Sequence, residues 1–224
     1  MPVALITGAS RGFGLVLARA LAGEGWDLVL DARGGNELRR ATVGLPATLL
    51  VGDVSDRLHR DALAAAVRER GRLDLLVNNA SLLGPSPQPL LRDYPLDALR
   101  RVYEVDVLAP LALTQVLLPW LAHGTVVNVS SDAGDQAYEG WGGYGSAKAA
   151  LDQLSAVLAV EQPGVRVLAF DPGDMRTQLH QEAFPGEDIS DRPLPETVIP
   201  ALLRVLELPS GRYRASDLVP ADAP

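Results

Sequence analysis

Tyr144 and Lys148 stand four residues apart in an Ala-rich stretch, and two hydroxyls, Ser130 and Ser131, precede them, with Ser131 thirteen residues before the tyrosine. On a helix, an i, i+4 spacing puts both side chains on one face. A phenol ordinarily releases its proton near pH of about 10, and an ammonium one turn away favours the phenolate. Such a pair can therefore move protons closer to neutrality. The same spacing also arises by chance on a solvated helix, so its meaning depends on what the rest of the chain places beside it.

The elements that must do the placing are legible as alternating apolar runs and helical patterns. Val3-Ala4-Leu5-Ile6 is a short continuous apolar run, as in strands buried on both faces. It passes directly into Thr7-Gly8-Ala9-Ser10-Arg11-Gly12-Phe13-Gly14, and a helical pattern follows from Leu15 to Gly23. Strand, glycine turn and helix make a phosphate cradle, because glycines allow close backbone approach and the helix N-terminus presents free N–H groups. Strands are expected at 27–31, 47–52, 73–77, 125–129 and 165–170, with an edge strand at 212–219. Helices are expected at 37–41, 57–70, 96–121, 144–160 and 195–206. Pro110 should kink or split the long one. Residues 174–193 read as a mobile loop over the substrate, and 220–224 as a frayed tail. The βαβ alternation predicts one α/β domain over 1–219, a Rossmann-like doubly wound parallel sheet of about seven strands with helices on both faces. Ligands bind such sheets beyond the carboxyl ends of the strands, where the glycine turn, Arg33, Asp53, Asn78, Ser131 and 172–177 all fall. The end of the second strand is where an acid selects NAD and an arginine accommodates NADP, and both Asp31 and Arg33 occur there.

Composition narrows the partners. The net charge is −8, which disfavours nucleic acid or an anionic membrane as a main partner. There is no cysteine, so disulfides and thiolate metal sites are excluded. No run of 18 uncharged apolar residues occurs, and the first strand begins at Val3, so no membrane span or leader is expected and the cytoplasm is the expected compartment. His59, His123 and His180 are scattered and are expected to be solvated or to cap helices; no metal site is expected.

Taken together, the motifs resemble the short-chain dehydrogenase/reductase family over nearly the whole chain. The resemblance rests on Thr7-Gly8-Ala9-Ser10-Arg11-Gly12-Phe13-Gly14, Asp53-Val54, Asn78-Asn79-Ala80, Ser131, Tyr144-x-x-x-Lys148 and Pro172-Gly173 with Thr177. It implies an oxidoreductase passing a hydride between NADP(H) and a small carbonyl or alcohol. Tyr144 would be the general acid or base, Lys148 would lower its pKa and hold the nicotinamide ribose, and Ser131 would orient the substrate oxygen. Cofactor contacts are implied for Gly8, Ser10, Arg11, Phe13, Gly14, Arg33, Asp53, Val54, Asn79, Ala80, Tyr144, Lys148, Pro172, Gly173 and Thr177. Asn78 would brace the central strands. Arg11 and Arg33 occupy the places of the basic residues in NADP-preferring members. Ala32 stands where the NAD-selecting acid would be, and Asp31, one residue early, is expected to face away from the ribose. NADP(H) is therefore expected in preference to NAD(H).

Three departures stand out. Ser81 replaces the family's glycine after Asn-Asn-Ala. Asp106 replaces an asparagine whose backbone carbonyl holds a relay water behind the lysine, so Asp106 belongs to the catalytic set by position, and whether its relay is full, weak or absent stays open. The usual glycine-rich ending is missing, which leaves homodimer and homotetramer both open. Leu82, Leu83, Tyr138, Trp141, Met175 and the 179–193 segment are expected around the substrate, with a pteridine or other small dicarbonyl as one candidate. An NADP(H)-binding sensor or scaffold with weak or no catalysis is the alternative; a methyltransferase on a similar sheet leaves Tyr144 and Lys148 unexplained.

Overall fold

The structure, a computed structural model, describes residues 1–218; the expected tail, and Val219 at the end of the expected edge strand, lie outside the described residues. Seven strands form one parallel sheet in the order β3-β2-β1-β4-β5-β6-β7. They are β1 (Val3–Ile6), β2 (Asp27–Ala32), β3 (Ala47–Val51), β4 (Leu75–Asn78), β5 (Thr125–Val129), β6 (Arg166–Asp171) and β7 (Gly211–Arg214). The principal helices are α1 (Gly12–Gly23), α2 (Gly35–Ala41), α3 (Arg57–Arg70), α4 (Leu96–Tyr103), α5 (Ala109–Leu117), α6 (Gly142–Glu161), α7 (Gln178–Ala183) and α8 (Ile199–Val205).

The alternation of side chains along a strand builds two separate cores. Ala4 and Ile6 of β1, Val127 of β5 and Leu168 and Phe170 of β6 face α1 and α8, meeting Phe13, Leu17, Leu21 and Leu202. Val3 and Leu5, Val126 and Val167 face α3 and α5, meeting Leu63, Val67, Leu113 and Leu117. A strand buried on both faces must be apolar throughout, which is why these runs lack polar alternation. Strand order reverses direction between β1 and β4, and the crevice at that switch is where the site lies.

The long helix differs from expectation. It breaks ahead of Pro110, not at it: Glu104–Leu108 is one π turn, and Pro110 sits in the first turn of α5, where its missing N–H costs nothing. The run Leu96–Trp120 is apolar enough to pass as a membrane span, but half of its most apolar window is buried in the fold, as in a core helix. The segment 174–193 is not aperiodic. Thr177 caps α7 by accepting from the His180 N–H at 3.2 Å, and Arg176 N–H donates to the Pro193 carbonyl at 2.8 Å.

Candidate active site

Local backbone needs shape the cavity. Gly8 and Gly12 have φ of +67° and +55°, the left-handed region that favours glycine. A Cβ on Gly8 would lie 2.9 Å from the Ala80 Cα, so the turn after β1 presses directly on the end of β4. Asn79 locks that contact, donating its side-chain amide to the Thr7 carbonyl at 2.8 Å. The N-terminus of α1 has no side-chain cap and no acid in its first turn, so its N–H groups remain directed at the cavity. That is a receptive end for a diphosphate.

The cavity encloses about 640 Å³, a volume in the ordinary ligand-pocket range. Gly8, Ser10, Arg11, Phe13, Arg33, Asp53, Val54, Asn79, Ala80, Pro172, Gly173 and Thr177 line it, as do Ser131, Tyr144 and Lys148. Twelve of these fifteen residues follow the ends of β1 to β6, while Phe13 stands on α1 and Tyr144 and Lys148 on α6, so the expected convergence at the strand ends is realised. Two expected site residues do not line it. Gly14 is buried beneath the turn, where a Cβ would come within 2.5 Å of the Asn79 amide; its smallness lets α1 pack on β4. Asp106 is 1% exposed, held behind the cavity in the π turn.

At the chemical end, α6 begins with small residues that let other segments press close. A Cβ on Gly145 would lie 2.5 Å from the Ala133 carbonyl oxygen, and one on Gly143 would strike the Tyr94 ring. Tyr144 is thereby buried between the Ser131–Gly134 turn and the loop after β4. Lys148 Nζ donates to the Val129 carbonyl at 2.9 Å and lies 5.3 Å from the centre of the Tyr144 ring. Burial pushes the Tyr144 phenol above its usual pKa; Lys148 pulls it down, Asp106 pushes it up, and the neighbouring Ser81 hydroxyl pulls it down. The expected pull from lysine is present, but burial outweighs it in the protein alone. Burial pulls the Lys148 ammonium down, yet Tyr144, Asp106 and Asp152 hold it above its ordinary value. Ser131 Oγ accepts from the Ala133 N–H at 3.2 Å and donates to Asp132 at 3.1 Å. Ser130 is buried and its hydroxyl has no hydrogen-bond partner among the described residues.

The nucleotide end contains two corrections. Asp31 does not turn away from the cavity. It forms part of the wall, with its oxygens engaged by the Gly8 N–H at 2.9 Å and His59 Nε2 at 2.9 Å. Burial pushes its carboxyl up, against the bonds from His59 and Gly8. His59 is accordingly buried, not solvated, and so is His180, beside Asp174 at 3.6 Å and Arg192 at 3.2 Å. Arg33 stands exposed at the rim with no ion-pair partner among the described residues. Burial pushes the Asp53 carboxyl up, but two hydrogen bonds from Ser55 and the Arg101 guanidinium outweigh it and hold the group below the usual range.

The substrate end is also redrawn. Trp141 and Met175 line the cavity as expected. Leu83 is buried behind Tyr144, and exposed Tyr138 donates to Asp132 at 2.8 Å. The wall is completed by Leu179, His180 and Ala183 of α7, a helix inside the segment expected to be a loop. Thr177 as a capping residue, followed by Leu179 and Ala183 at i, i+4 spacing, is the signal that marks this helix.

The chain matches the family model for short chain dehydrogenases over residues 2–188. It is 37% identical over 201 residues to sepiapterin reductase of Rattus norvegicus, covering 81% of this chain and 77% of that one. It is 30% identical over 236 residues to a benzil reductase ((S)-benzoin forming) of Saccharomyces cerevisiae, covering 99% and 86%. A solved short chain dehydrogenase from Shigella flexneri 2a, complexed with NADP, superimposes with a TM-score of 0.88 at 29% identity, covering 96% and 97%. A glycine turn against an uncapped helix, a buried Tyr144 beside Lys148, and these matches over most of the chain lead to one conclusion: the chain belongs to the short-chain dehydrogenase family of oxidoreductases.

Proposed function

We propose that this enzyme reduces a small carbonyl compound, or oxidises the matching alcohol, with NADP(H). The observation that carries the reading is the meeting of Ser131, Tyr144 and Lys148 in the same cavity as the glycine turn. The first turn of α1 and Gly8 would hold the diphosphate, Arg11 and Arg33 a 2′-phosphate, Asp53 and Val54 the adenine, and Lys148 with Thr177 the nicotinamide end. Support for NADP(H) over NAD(H) comes from Asp31, whose carboxylate is engaged by Gly8 and His59, while Arg33 is exposed. The bound dinucleotide supplies the hydride. Ser131 donates a hydrogen bond to the substrate oxygen, Tyr144 gives that oxygen its proton, and Lys148 steadies the phenolate left behind.

Aromatic and apolar side chains bound the substrate end: Trp141 meets the Tyr144 ring edge-on at 6.0 Å and Phe184 at 5.9 Å, with Met175, Leu179 and Ala183 nearby. Such walls suit a planar or aromatic carbonyl, and the names of the two reductase relatives agree with a dicarbonyl. We read 174–193 as the segment that covers it. Exposed Leu96, Leu108, Val116, Val157 and Val160 on α4 to α6 support pairing of two chains there. The test is a panel of aromatic ketones, diketones and aldehydes with NADPH and then NADH, followed by absorbance. Turnover is expected with NADPH, and Tyr144→Phe is expected to lower kcat by about 10² or more, the scale of general acid catalysis. Tight NADPH binding without turnover would leave the sensor reading standing instead.

A further inference from the structure

Ser81 and Asp106 lie 25 positions apart in sequence, each departing from the family pattern, and the fold brings them into contact. Asp106 Oδ2 receives the Ser81 hydroxyl at 3.2 Å, and Oδ1 accepts from the Leu82 N–H at 2.8 Å. The π turn makes this possible, since it tips the Asp106 side chain out of the helix towards the loop after β4. Ser81 lines the same cavity as Tyr144, with its hydroxyl beside the phenol. Behind it, Asp106 is sealed from solvent and faced by Ser81, by Tyr144 and Lys148 of α6, and by Tyr94, whose buried hydroxyl has no hydrogen-bond partner among the described residues.

Resting on the reading of Tyr144 as the proton donor, we propose that Asp106, working through the Ser81 hydroxyl, is the proton reservoir that reloads Tyr144. In reduction, Tyr144 loses its proton to the substrate oxygen as the hydride reaches carbon, leaving a phenolate. The Ser81 O–H proton passes to the phenolate oxygen, and Ser81 takes the Asp106 carboxyl proton in the same movement. Asp106 is left as carboxylate, and once product leaves, water in the cavity returns one proton through Ser81. No electrons change hands in the reload, and alcohol oxidation runs it backwards. The carboxyl is matched to this role, because burial pushes it up to about 6 against the pull of Lys148, and acid and carboxylate are then both accessible near neutrality. Asp106 and Ser81 are positioning residues here, since they reach the substrate only through Tyr144.

Asp106→Asn keeps an acceptor for the Leu82 N–H but cannot titrate, which separates a relay from a purely structural tie. In the wild type, kcat for reduction should fall and kcat for oxidation should rise through an inflection near pH of about 6. Asp106→Asn and Ser81→Ala should each flatten that inflection and lower kcat about tenfold, with KM nearly unchanged, and Ser81→Thr should restore it. The double variant should be no slower than either single one, because the pair acts as a unit. In cofactor-free protein, carboxyl-carbon NMR should place Asp106 near about 6 and shift it upward in Ser81→Ala, while the Tyr144 phenol should titrate lower in Asp106→Asn. An inflection that survives in Asp106→Asn, multiplicative losses in the double variant, or an Asp106 carboxyl titrating in the ordinary range would each overturn the relay and leave the proposed function standing. A wild type that turns over no carbonyl would overturn both.

Discussion

At the scale of single residues, cofactor choice turns on what each charge is already doing. Asp31 bonds Gly8 and His59 with its two oxygens, so recruiting it for a ribose hydroxyl means breaking buried hydrogen bonds. Arg33 has no such commitment among the described residues and sits at the mouth. Arg33→Ala is therefore expected to raise KM for NADPH at least about tenfold, the loss of about 1.4 kcal/mol, and to change KM for NADH by no more than about twofold. Parallel titrations with the two dinucleotides check this, and equal losses would remove the assignment. Arg33 at the rim was legible in sequence because it directly follows the second strand, whereas alternation along that strand misplaced Asp31. The Asp31–His59 pair was not, since it joins residues 28 apart through the packing of α3 against β2. The contact between Ser81 and Asp106 was hidden for the same reason, although each stands out separately.

At the scale of elements, the site is set by two helices that depart from regularity in different ways. The π turn at Glu104–Leu108 offers up a buried acid, and nothing in local composition announces it, because Pro110 draws attention to the wrong turn. The start of α6 works by absence of side chains. Gly143 and Gly145 are poor helix residues, each costing roughly 1 kcal/mol relative to alanine in isolation, yet the helix tolerates them because the Tyr94 ring and the Ala133 carbonyl occupy the vacated space. Gly145→Ala is expected to destabilise the fold by about 1–3 kcal/mol, because backbone must retreat from a contact of 2.5 Å, and to lower kcat through the displaced Ser131 turn. Urea unfolding and steady-state rates read the two effects separately; a variant as stable and active as the parent would show that the turn does not depend on this contact. By contrast, β1, its glycine turn and α1 were legible almost residue by residue, because strand, turn and helix succeed one another without long-range help. The helix α7 is short, and its capping threonine and single Leu179–Ala183 pair are a faint signal inside the 174–193 segment.

At the scale of the molecule, the sheet's last strand reaches back to the site. From β7, Arg212 donates to the Ser131 carbonyl at 3.0 Å and to Asp152 of α6 at 2.8 Å, and lies 3.8 Å from Asp171 at the end of β6. One guanidinium thus ties the serine turn, the tyrosine helix and the neighbouring strand. Arg212→Ala is expected to lower kcat about tenfold with little change in dinucleotide affinity, since the glycine turn lies on the far side of the switch point; stopped-flow binding and steady-state rates would separate them, and an equal loss in both would contradict it. The parallel sheet was legible from the βαβ alternation, but no spacing rule connects residue 212 to residue 131.

That reach gives the protein a timetable. During synthesis the glycine turn, Tyr144 and Lys148 all leave the ribosome well before Arg212 does. A chain halted ahead of Gly211 would carry every residue that we propose holds nucleotide or substrate, yet its serine turn would lack the cation that ties it to α6. Such a chain is expected to gain a grip on dinucleotide first and to become competent for proton transfer only when its final strand docks, so that readiness to bind and readiness to react arrive at different moments in the life of one polypeptide.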